Sequence, residues 1–515
     1  MERNETGRVD AEQVDAERVD AEFVETVVAG AGFSGISVAH DLIESGRSDF
    51  VLLEEKHDVG GVWRDNVYPN AACDVQAHLY SLSFAQNPDW SSNFASQAEI
   101  WAYQKQVVED LGIGDRIRFD TALVAARWVD EADQWELTLS TGGRMRCRFL
   151  VTAIGALNRP LVPELEGFDD YRGEIVHTAQ WHEGVSMAGK RVAVIGAGAS
   201  AIQVVPAAAD AADAVFVSVR TPPHVMPKPE ERYGEEEKRF FREHPEELQR
   251  RRRELYDYWN YSTHAQAVMD EEFLSEAEAV WKAHMESAIA DPGLRAMMTP
   301  DSRFGCRRPV VSNDWYPALA NPKVHVTASG VVGLTERGVR TADGEEWEAD
   351  LVVLATGFRA TEILGSVELH GVGGRTLSDV WADGPEAFQA TLVREFPNLF
   401  VMTGPNYQAS GSIIGIIEAQ SRYIADLMDL ADSRGAAALV VTDEAQAEFT
   451  EHLQEMMSRT VWEAGGCHSW YRVGGTGRVA VKWPGSLAEF EQLVAEVRPE
   501  HYRLIGVSAE AAIAG

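Results

Sequence analysis

Apolar runs alternate with glycine turns and helical patterns at two places along the chain. The first run leads into Gly30 and the second leads into Gly196. In both places a helical pattern follows the turn, and a second apolar run follows the helix. A strand, a glycine turn and a helix in this order are typical of a βαβ unit in a parallel sheet. The pattern therefore predicts two such units, over residues 24–56 and 190–221.

The rest of the chain is patterned differently. Residues 1–23 contain a five-residue acidic repeat that fits neither a helical face nor a strand, which favours a disordered acidic tail. Alternating apolar positions over 115–155 predict strands. Helix formers with long charge runs over 222–300 predict an inserted helical subdomain. An apolar helical pattern over 413–430 predicts a further helix.

Small residues occupy both turns at the same spacing. Each turn fits G-x-G-x-x-G/A, in which the glycines let the backbone approach a pyrophosphate at the N-terminus of the following helix. The positions predicted to contact a cofactor are Gly30, Gly32, Phe33 and Gly35 in the first copy, and Gly196, Gly198, Ala199, Ser200 and Ala201 in the second.

One position differs in charge between the two copies. The second strand of the first unit ends at Glu54, and that of the second unit ends at Arg220. An acid there hydrogen-bonds a ribose 2′-OH, whereas an arginine accommodates a 2′-phosphate. Glu54 therefore predicts FAD at the first unit, and Arg220 predicts NADPH at the second. A protein that holds both is suited to pass electrons from a nicotinamide to a flavin.

These features predict an α/β protein with two Rossmann-like dinucleotide-binding domains, the second inserted in the first, and with an inserted helical subdomain. Two linkers between the domains predict a hinge. The predicted segments are the tail over 1–23, the first part of the FAD-binding domain over 24–156, a linker over 157–189, the NADPH-binding domain over 190–357 with its helical insertion over 222–300, a linker over 358–395, and the C-terminal part of the FAD-binding domain over 396–515.

Composition narrows the possible partners and the expected location of the protein. The 46 basic and 81 acidic residues give a net charge of −35, which argues against nucleic acid or an anionic membrane as a partner. No apolar run approaches the length of a membrane span. Cys73, Cys147, Cys306 and Cys467 are widely spaced without a C-x-x-C. This spacing predicts no disulfide framework, no zinc or other metal site and no redox-active dithiol, and hence a cytoplasmic protein.

After the tail, the chain resembles the Baeyer–Villiger monooxygenases. The resemblance is densest at 171–181, which follows the family signature F-x-G-x-x-x-H-x-x-x-W with His177 and Trp181 in place. Tyr171 replaces the Phe of the signature, and His182 replaces its Pro or Asp. The resemblance implies that FAD, NADPH and O₂ convert a ketone into an ester or lactone through a flavin C4a-peroxide. For His177 and Trp181 it implies a role in coupling domain movement to catalysis.

The resemblance also implies the catalytic residues. Arg308 matches the catalytic arginine of the family's G-C/T-K-R-P segment and would stabilise the peroxyanion and the oxyanion of the ketone adduct. Asp74 matches the acid beside the flavin and would hold Arg308 in position. Arg307 stands where the family has Lys, and with Arg220 and Thr221 it would hold the 2′-phosphate of NADPH.

A flavin loop is implied by the glycines and the tryptophan of the run that ends at Trp63. The remaining positions that match cofactor-contacting residues of the family are Gly61, Val62, Trp63, Val75, Tyr80 and Leu123. Segments 404–420 and 466–471, the latter together with 483–485, resemble late family segments near the flavin and the substrate. The first of them lacks a family histidine, which leaves the shape of the pocket and the identity of the ketone open.

Two other functions fit parts of the pattern. A related flavin monooxygenase that oxidises nitrogen or sulfur would need an electrophilic hydroperoxide, and Trp181 with the Asp74 and Arg308 pair speaks against it. A non-catalytic flavoprotein sensor would need a broken cofactor site, and neither motif is broken. Oligomeric state, regiochemistry and the strictness of NADPH over NADH stay open.

Overall fold

The computed structural model describes residues 21–408, 411–467 and 469–507. The acidic repeat predicted as a disordered tail lies outside these residues up to position 20. The tail was predicted to extend to residue 23, but the first strand already begins at Glu22. Its backbone pairs with the strand that contains Met145, so the last two tail positions belong to the sheet.

The strands of the described residues, in chain order, are β1 (Glu22–Ala29), β2 (Phe50–Leu53), β3 (Ile117–Arg118), β4 (Leu123–Val129), β5 (Gln134–Leu139), β6 (Arg144–Thr152), β7 (Glu174–His177), β8 (Arg191–Ile195), β9 (Ala214–Ser218), β10 (Val225–Met226), β11 (Val310–Val311), β12 (Val324–Thr327), β13 (Val331–Thr335), β14 (Gly338–Thr341), β15 (Glu346–Glu348), β16 (Leu351–Leu354), β17 (Glu368–His370), β18 (Leu399–Val401), β19 (Ala438–Val441) and β20 (Tyr502–Ile505).

The α-helices are α1 (Phe33–Glu44), α2 (Val62–Asp65), α3 (Gln97–Asp110), α4 (Ala201–Ala211), α5 (Glu235–Glu243), α6 (Pro245–Ala267), α7 (Glu271–Ala288), α8 (Pro292–Met297), α9 (Trp315–Leu319), α10 (Leu377–Val380), α11 (Ile413–Ser433), α12 (Asp443–Ser458), α13 (Val461–Ala464) and α14 (Leu487–Val494). None of the described helices is long and apolar enough to cross a membrane.

The first sheet combines early and late parts of the chain. Its order is β17-β4-β5-β6-β1-β2-β3, and β18 pairs with the C-terminal half of β6. The pairs β1·β2, β1·β6, β2·β3 and β6·β18 are parallel. In the last of these Leu399 lies opposite Leu150, so a strand from the C-terminal third completes a sheet that the first 152 residues begin. The predicted α/β fold class is confirmed.

The second sheet is parallel throughout, in the order β12-β9-β8-β16-β7. The antiparallel strands β13-β14-β15 form a small sheet beside it, and the Phe216 and Trp347 rings stack between the two. Strand β7 lies in the segment predicted as a linker. The sequence does not predict this strand, because four residues are too few to give a clear apolar pattern. The other segment boundaries drawn from the sequence stay predictions.

The two glycine turns are built alike. Gly30 has φ +115° and Gly196 has φ +122°. A Cβ on either would lie 2.3 Å from a carbonyl oxygen, that of Ala153 after β6 or that of Ala355 after β16. Both the left-handed conformation and the close approach of the third strand therefore require glycine at these positions.

The charge-rich insertion forms the helices α5 to α8, as its pattern predicted. Leu248 of α6 is buried in the core that covers the first sheet together with α1 and α11. Leu274 and Trp281 of α7 are buried in the core that covers the second sheet. The insertion therefore packs against both halves of the molecule.

One buried histidine should make the fold sensitive to acid. His224 is 8 % exposed between the rings of Trp281 and Phe304, each 4.9 Å away, and its burial lowers its pKa to about 4. The unfolded chain therefore binds this proton more readily, so stability falls as pH drops through about 6.5 and levels off below about 4. The free energy of unfolding is therefore about 3 kcal/mol higher above about pH 6.5, where the ring is neutral, than below about pH 4.

We expect His224→Phe, which keeps an aromatic ring in the cluster, to reduce this loss. The thermal unfolding midpoint of the FAD-loaded protein, compared between about pH 7 and about pH 5, should fall less in the variant than in the wild type. His452→Phe, at an exposed position of α12, serves as the control. Equal acid sensitivity in all three proteins would contradict the assignment.

Candidate active site

The first glycine turn holds a buried acid. Glu54 is 5 % exposed, and its Oε2 accepts a hydrogen bond from the Ala31 backbone N–H at 3.0 Å. Its Oε1 accepts a 2.6 Å hydrogen bond from Arg64 Nη1, and both side chains of this ion pair are buried. The predicted ribose-binding carboxylate is therefore fixed at the turn, and the arginine balances its charge.

Aromatic residues lie beside this turn. Trp63 Nε1 donates to Tyr80 Oη at 3.1 Å, and the ring centroids of Phe33 and Tyr80 are 5.7 Å apart. A Cβ on Gly32 would lie 3.6 Å from the Gly61 Cα, so the two loops approach closely where neither has a side chain. The turn, the buried acid and the aromatic wall fit an adenine dinucleotide with a planar ring system.

The structure places the other predicted flavin contacts at different depths. Val62 is 37 % exposed, whereas Val75 is buried in the same core as Phe33. Leu123 begins β4, and its side chain is buried in a different core cluster with Leu53. The structure therefore does not bring the Leu123 side chain to the aromatic wall.

An ion pair links two distant segments. Asp74 Oδ1 accepts a hydrogen bond from Arg308 Nη2 at 2.7 Å, although the residues are 234 positions apart. The side chains are 29 % and 39 % exposed, so both keep a face open to the surroundings. The negative charge of Asp74 is the main cause that raises the pKa of Arg308, against the effect of burial. Arg308 is thus a guanidinium held in place by Asp74, with N–H donors that stay partly accessible.

Residues near the C-terminus hold the arginine segment. The Arg308 backbone N–H donates to Tyr471 Oη at 3.0 Å, and Trp462 Nε1 donates to the Gly305 carbonyl at 3.2 Å. A disulfide joins Cys306 to Cys467. These contacts have no signal in the sequence, because they join segments more than 150 residues apart.

The disulfide corrects the prediction drawn from the cysteines. The wide spacing of the cysteines predicts no disulfide framework. In the structure, however, Cys306 and Cys467 are bonded although they are 161 residues apart, and their Cα atoms lie 5.2 Å from each other. Cys73 and Cys147 are free and buried. Spacing fails as a criterion here because folding brings together segments from opposite halves of the chain. The cytoplasmic location stays a prediction and has lost part of its basis.

Cations gather where the second unit was predicted to bind a 2′-phosphate. The pKa of Arg307 is lowered, first by burial and then by the positive charge of Arg220. Two arginines close enough to influence each other in this way favour an anion between them. Thr221 follows Arg220 directly. A Cβ on Gly198 would meet nothing within 4 Å, so the turn leaves open space above it.

A glutamine connects the second turn to the Asp74 segment. Gln203 lies on α4, two positions after Ala201 of the second turn. Its Nε2 donates to Tyr68 Oη at 3.1 Å, and its Oε1 accepts from the Ala72 backbone N–H at 2.8 Å. The loop that carries Asp74 is therefore attached to the helix of the second unit, a contact that sequence reasoning missed.

The signature residues lie at the end of β7 and just after it, on the second sheet. His177 Nδ1 accepts from the Ala179 backbone N–H at 3.1 Å. Its Nε2 lies 3.1 Å from the Gly357 carbonyl and donates to it in the tautomer that Nδ1 requires. Trp181 is 9 % exposed in the core of the second sheet. Within the described residues, no hydrogen bond, ion pair or ring contact joins either side chain to the Asp74–Arg308 pair, and His177 instead touches the turn at which the second predicted linker begins.

Two dinucleotide-type units joined at an ion pair define a flavin- and nicotinamide-dependent oxidoreductase. The Flavin-binding monooxygenase-like family model matches residues 24–237. A Baeyer–Villiger monooxygenase of Streptomyces coelicolor is 39% identical over 94% of this chain and 93% of its own length. One of Pseudomonas aeruginosa is 36% identical over 93% of this chain and 91% of its own.

The solved structures similar to this fold are also named as monooxygenases. A closed crystal structure of cyclohexanone monooxygenase has a TM-score of 0.85 at 28% identity and covers 94% of this chain and 99% of its own. An oxidised steroid monooxygenase bound to NADP has a TM-score of 0.83 at 29% identity, with the same coverage.

The chain belongs to the Baeyer–Villiger monooxygenases. It is an FAD-dependent enzyme that uses NADPH and O₂ to insert one oxygen atom into a ketone, giving an ester or lactone. The recognition, the cofactors and the reaction predicted from the sequence are confirmed. The two alternatives, oxidation of nitrogen or sulfur and a non-catalytic sensor, find no support in these relatives.

The cysteine assignment can be checked by mass spectrometry. We expect a non-reducing proteolytic digest of the alkylated protein to contain one cross-linked peptide pair, Cys306 with Cys467, because the two sulfurs are bonded in the buried core. Cys73 and Cys147 should react with the alkylating reagent only after unfolding, since both are buried. Recovery of Cys306 and Cys467 as alkylated peptides would contradict the assignment.

Proposed function

We propose that Arg308 supplies the positive charge that stabilises the ketone oxygen while it becomes an oxyanion. The observation that supports this role is the Asp74–Arg308 ion pair, with its N···O distance of 2.7 Å and its partly accessible side chains. A preorganised cation at the position where negative charge develops lowers the barrier without reorganisation. The substrate is then a ketone whose carbonyl oxygen reaches the free edge of this guanidinium.

Asp74 acts as a positioning residue. Its carboxylate accepts one N–H of Arg308, which fixes the plane of the guanidinium and leaves the other donors for the substrate. Its negative charge also offsets the partial desolvation of Arg308 and raises the pKa of the guanidinium. The Tyr471 hydroxyl also fixes this segment, because it accepts a hydrogen bond from the backbone N–H of Arg308.

The remaining predicted residues bind the cofactors. We assign the turn with Gly30, Gly32 and Gly35 to the FAD pyrophosphate and Glu54 to its ribose, because the turn and the buried acid lie together. Arg220 and Arg307 receive the 2′-phosphate of NADPH. The other assigned contacts are Phe33, Gly61, Val62, Trp63, Val75, Tyr80 and Leu123 for FAD, and Gly196, Gly198, Ala199, Ser200, Ala201 and Thr221 for NADPH.

The bound flavin, once reduced by NADPH, supplies the activated oxygen. The protein residues bind both dinucleotides, hold the ketone oxygen at Arg308 and exclude water from the space between the two sheets. The two similar solved structures are named for cyclohexanone and for steroids, so cyclohexanone is the first ketone to test on this protein.

Replacement of Arg308 tests the proposed role. Arg308→Ala should keep FAD absorbance and lower ester formation from cyclohexanone by about 100-fold to 1000-fold, since a preorganised donor at the developing oxyanion is lost. Arg308→Lys keeps the charge without the planar fork and should lose about tenfold. Product formation is followed by gas chromatography with mass detection.

A nearby arginine provides the matched control. Arg303 lies five positions earlier in the same segment, but pairs with Glu271 at the surface. Arg303→Ala should therefore behave as the wild type in the same assay. Ester formation by Arg308→Ala at the rate of the wild type would overturn the role assigned to Arg308.

Replacement of Arg220 tests the nicotinamide assignment. Arg220→Ala should raise the KM for NADPH by at least about tenfold and leave that for NADH nearly unchanged, because only NADPH carries the 2′-phosphate. Arg337→Ala, at an exposed turn between β13 and β14, is the control. An equal rise in KM for both nucleotides would contradict the assignment. Steady-state rates of NAD(P)H oxidation provide both constants.

A further inference from the structure

A second cation lies beside Arg308, on a segment that the proposed mechanism does not use. Lys482 precedes Trp483, and the backbone around it pairs with the Gln408 segment. The Trp483 N–H donates to the Gln408 carbonyl at 3.0 Å, and Asn406 Nδ2 donates to the Lys482 carbonyl at 2.8 Å. The position of the lysine is therefore fixed by its backbone.

Two aromatic rings hold the ammonium group. Lys482 Nζ lies 4.6 Å from the ring centroid of Tyr471 and 5.3 Å from that of Trp462. Tyr471 is the residue whose hydroxyl accepts the Arg308 backbone N–H. The aromatic faces attract the cation, and the shared tyrosine places it next to the segment that carries Arg308.

The charges around Nζ are unbalanced. Among the described residues no carboxylate lies within 4.0 Å of Nζ, whereas Asp74 is already engaged by Arg308. The titratable groups nearest to Lys482 are Arg308 and Tyr471, and Tyr407 is buried beside these two. Burial first, and the charge of Arg308 second, lower the pKa of Lys482 to about 7.

An ammonium group in a largely desolvated place is costly as long as no anion pairs with it. A carboxylate brought into the pocket would supply the missing negative charge, accept hydrogen bonds from Nζ and favour its protonated form. Neutral ketones do not provide this compensation. The surroundings of Lys482 thus discriminate between substrates by charge.

We propose that Lys482 is a specificity-determining residue that binds a carboxylate of the substrate, so that the preferred ketones are keto acids. The inference rests on the proposed function, because it places the carbonyl of the same molecule at Arg308. One end of the substrate is then held by Lys482 while the reacting carbonyl is held by Arg308.

The test compares methyl ketones that carry a terminal carboxylate with their methyl esters, over a series of chain lengths. Binding to the oxidised holoenzyme with NADP⁺ is measured by isothermal titration calorimetry, which needs no turnover. The best keto acid should bind about tenfold to 100-fold more tightly than its ester, the range expected for a charge-assisted hydrogen bond. The ratio of kcat/KM for acid over ester, measured separately, should favour the acid.

Proton uptake gives a readout that a purely structural lysine would not produce. Because the free amine has a pKa of about 7, binding a carboxylate should draw about half a proton from solution at neutral pH and more at higher pH. Titrations in buffers of different ionisation enthalpy measure this number. Lys482→Met should abolish both the uptake and the acid preference. Lys482→Arg should restore the preference without the uptake, since its charge is permanent.

The outcomes separate this inference from the proposed function. Equal affinity for acid and ester in the wild type, or an acid preference that persists in Lys482→Met, would overturn the role of Lys482. Acid-selective binding that depends on Lys482, without ester or lactone formed from any ketone, would support the anion site and contradict the proposed reaction at Arg308. Oxidation of neutral ketones with no acid preference would leave the proposed function standing alone.

Discussion

The ion pair between Asp74 and Arg308 is the contact around which the two halves of the molecule are arranged. Asp74 follows the flavin loop of the first unit, and Arg308 follows the helical insertion of the second. Neither residue could be kept in place alone, because a desolvated charge without a partner is costly. Their 2.7 Å contact therefore positions the guanidinium on which the proposed function depends, and it also requires the two units to face each other.

Other contacts join the segments that carry Asp74 and Arg308 to the rest of the molecule. Gln203 attaches the Asp74 loop to α4. Tyr471, together with the Cys306–Cys467 disulfide, holds the arginine segment from the C-terminal third. Helices α6 and α7 pack one against each core. A change of angle between the halves would alter these contacts together, so we expect the site proposed at Arg308 to respond to nucleotide binding.

Local features of the fold could be predicted from the sequence, whereas pairings between distant residues could not. Gly30 and Gly196 occur in a turn that only glycine allows, and the apolar runs beside them identify the strands. The disulfide, the Tyr471 contact and the Glu54–Arg64 pair depend on the folded arrangement of the chain. Strand β7 was missed for a different reason, since four residues are too short to show a period. Asp74 and Arg308 were found only through the family resemblance, since one acid and one arginine carry no signal of their own.

The most direct test of the central claim is a double-mutant cycle on Asp74 and Arg308. The kcat/KM for ester formation is measured for Asp74→Asn, Arg308→Ala and the double variant, with FAD content checked in each. If Asp74 acts by holding Arg308, the double variant should be no slower than Arg308→Ala alone, since the function of the acid is lost with its partner. Losses that multiply in the double variant would show that the two residues act independently, and would contradict the account.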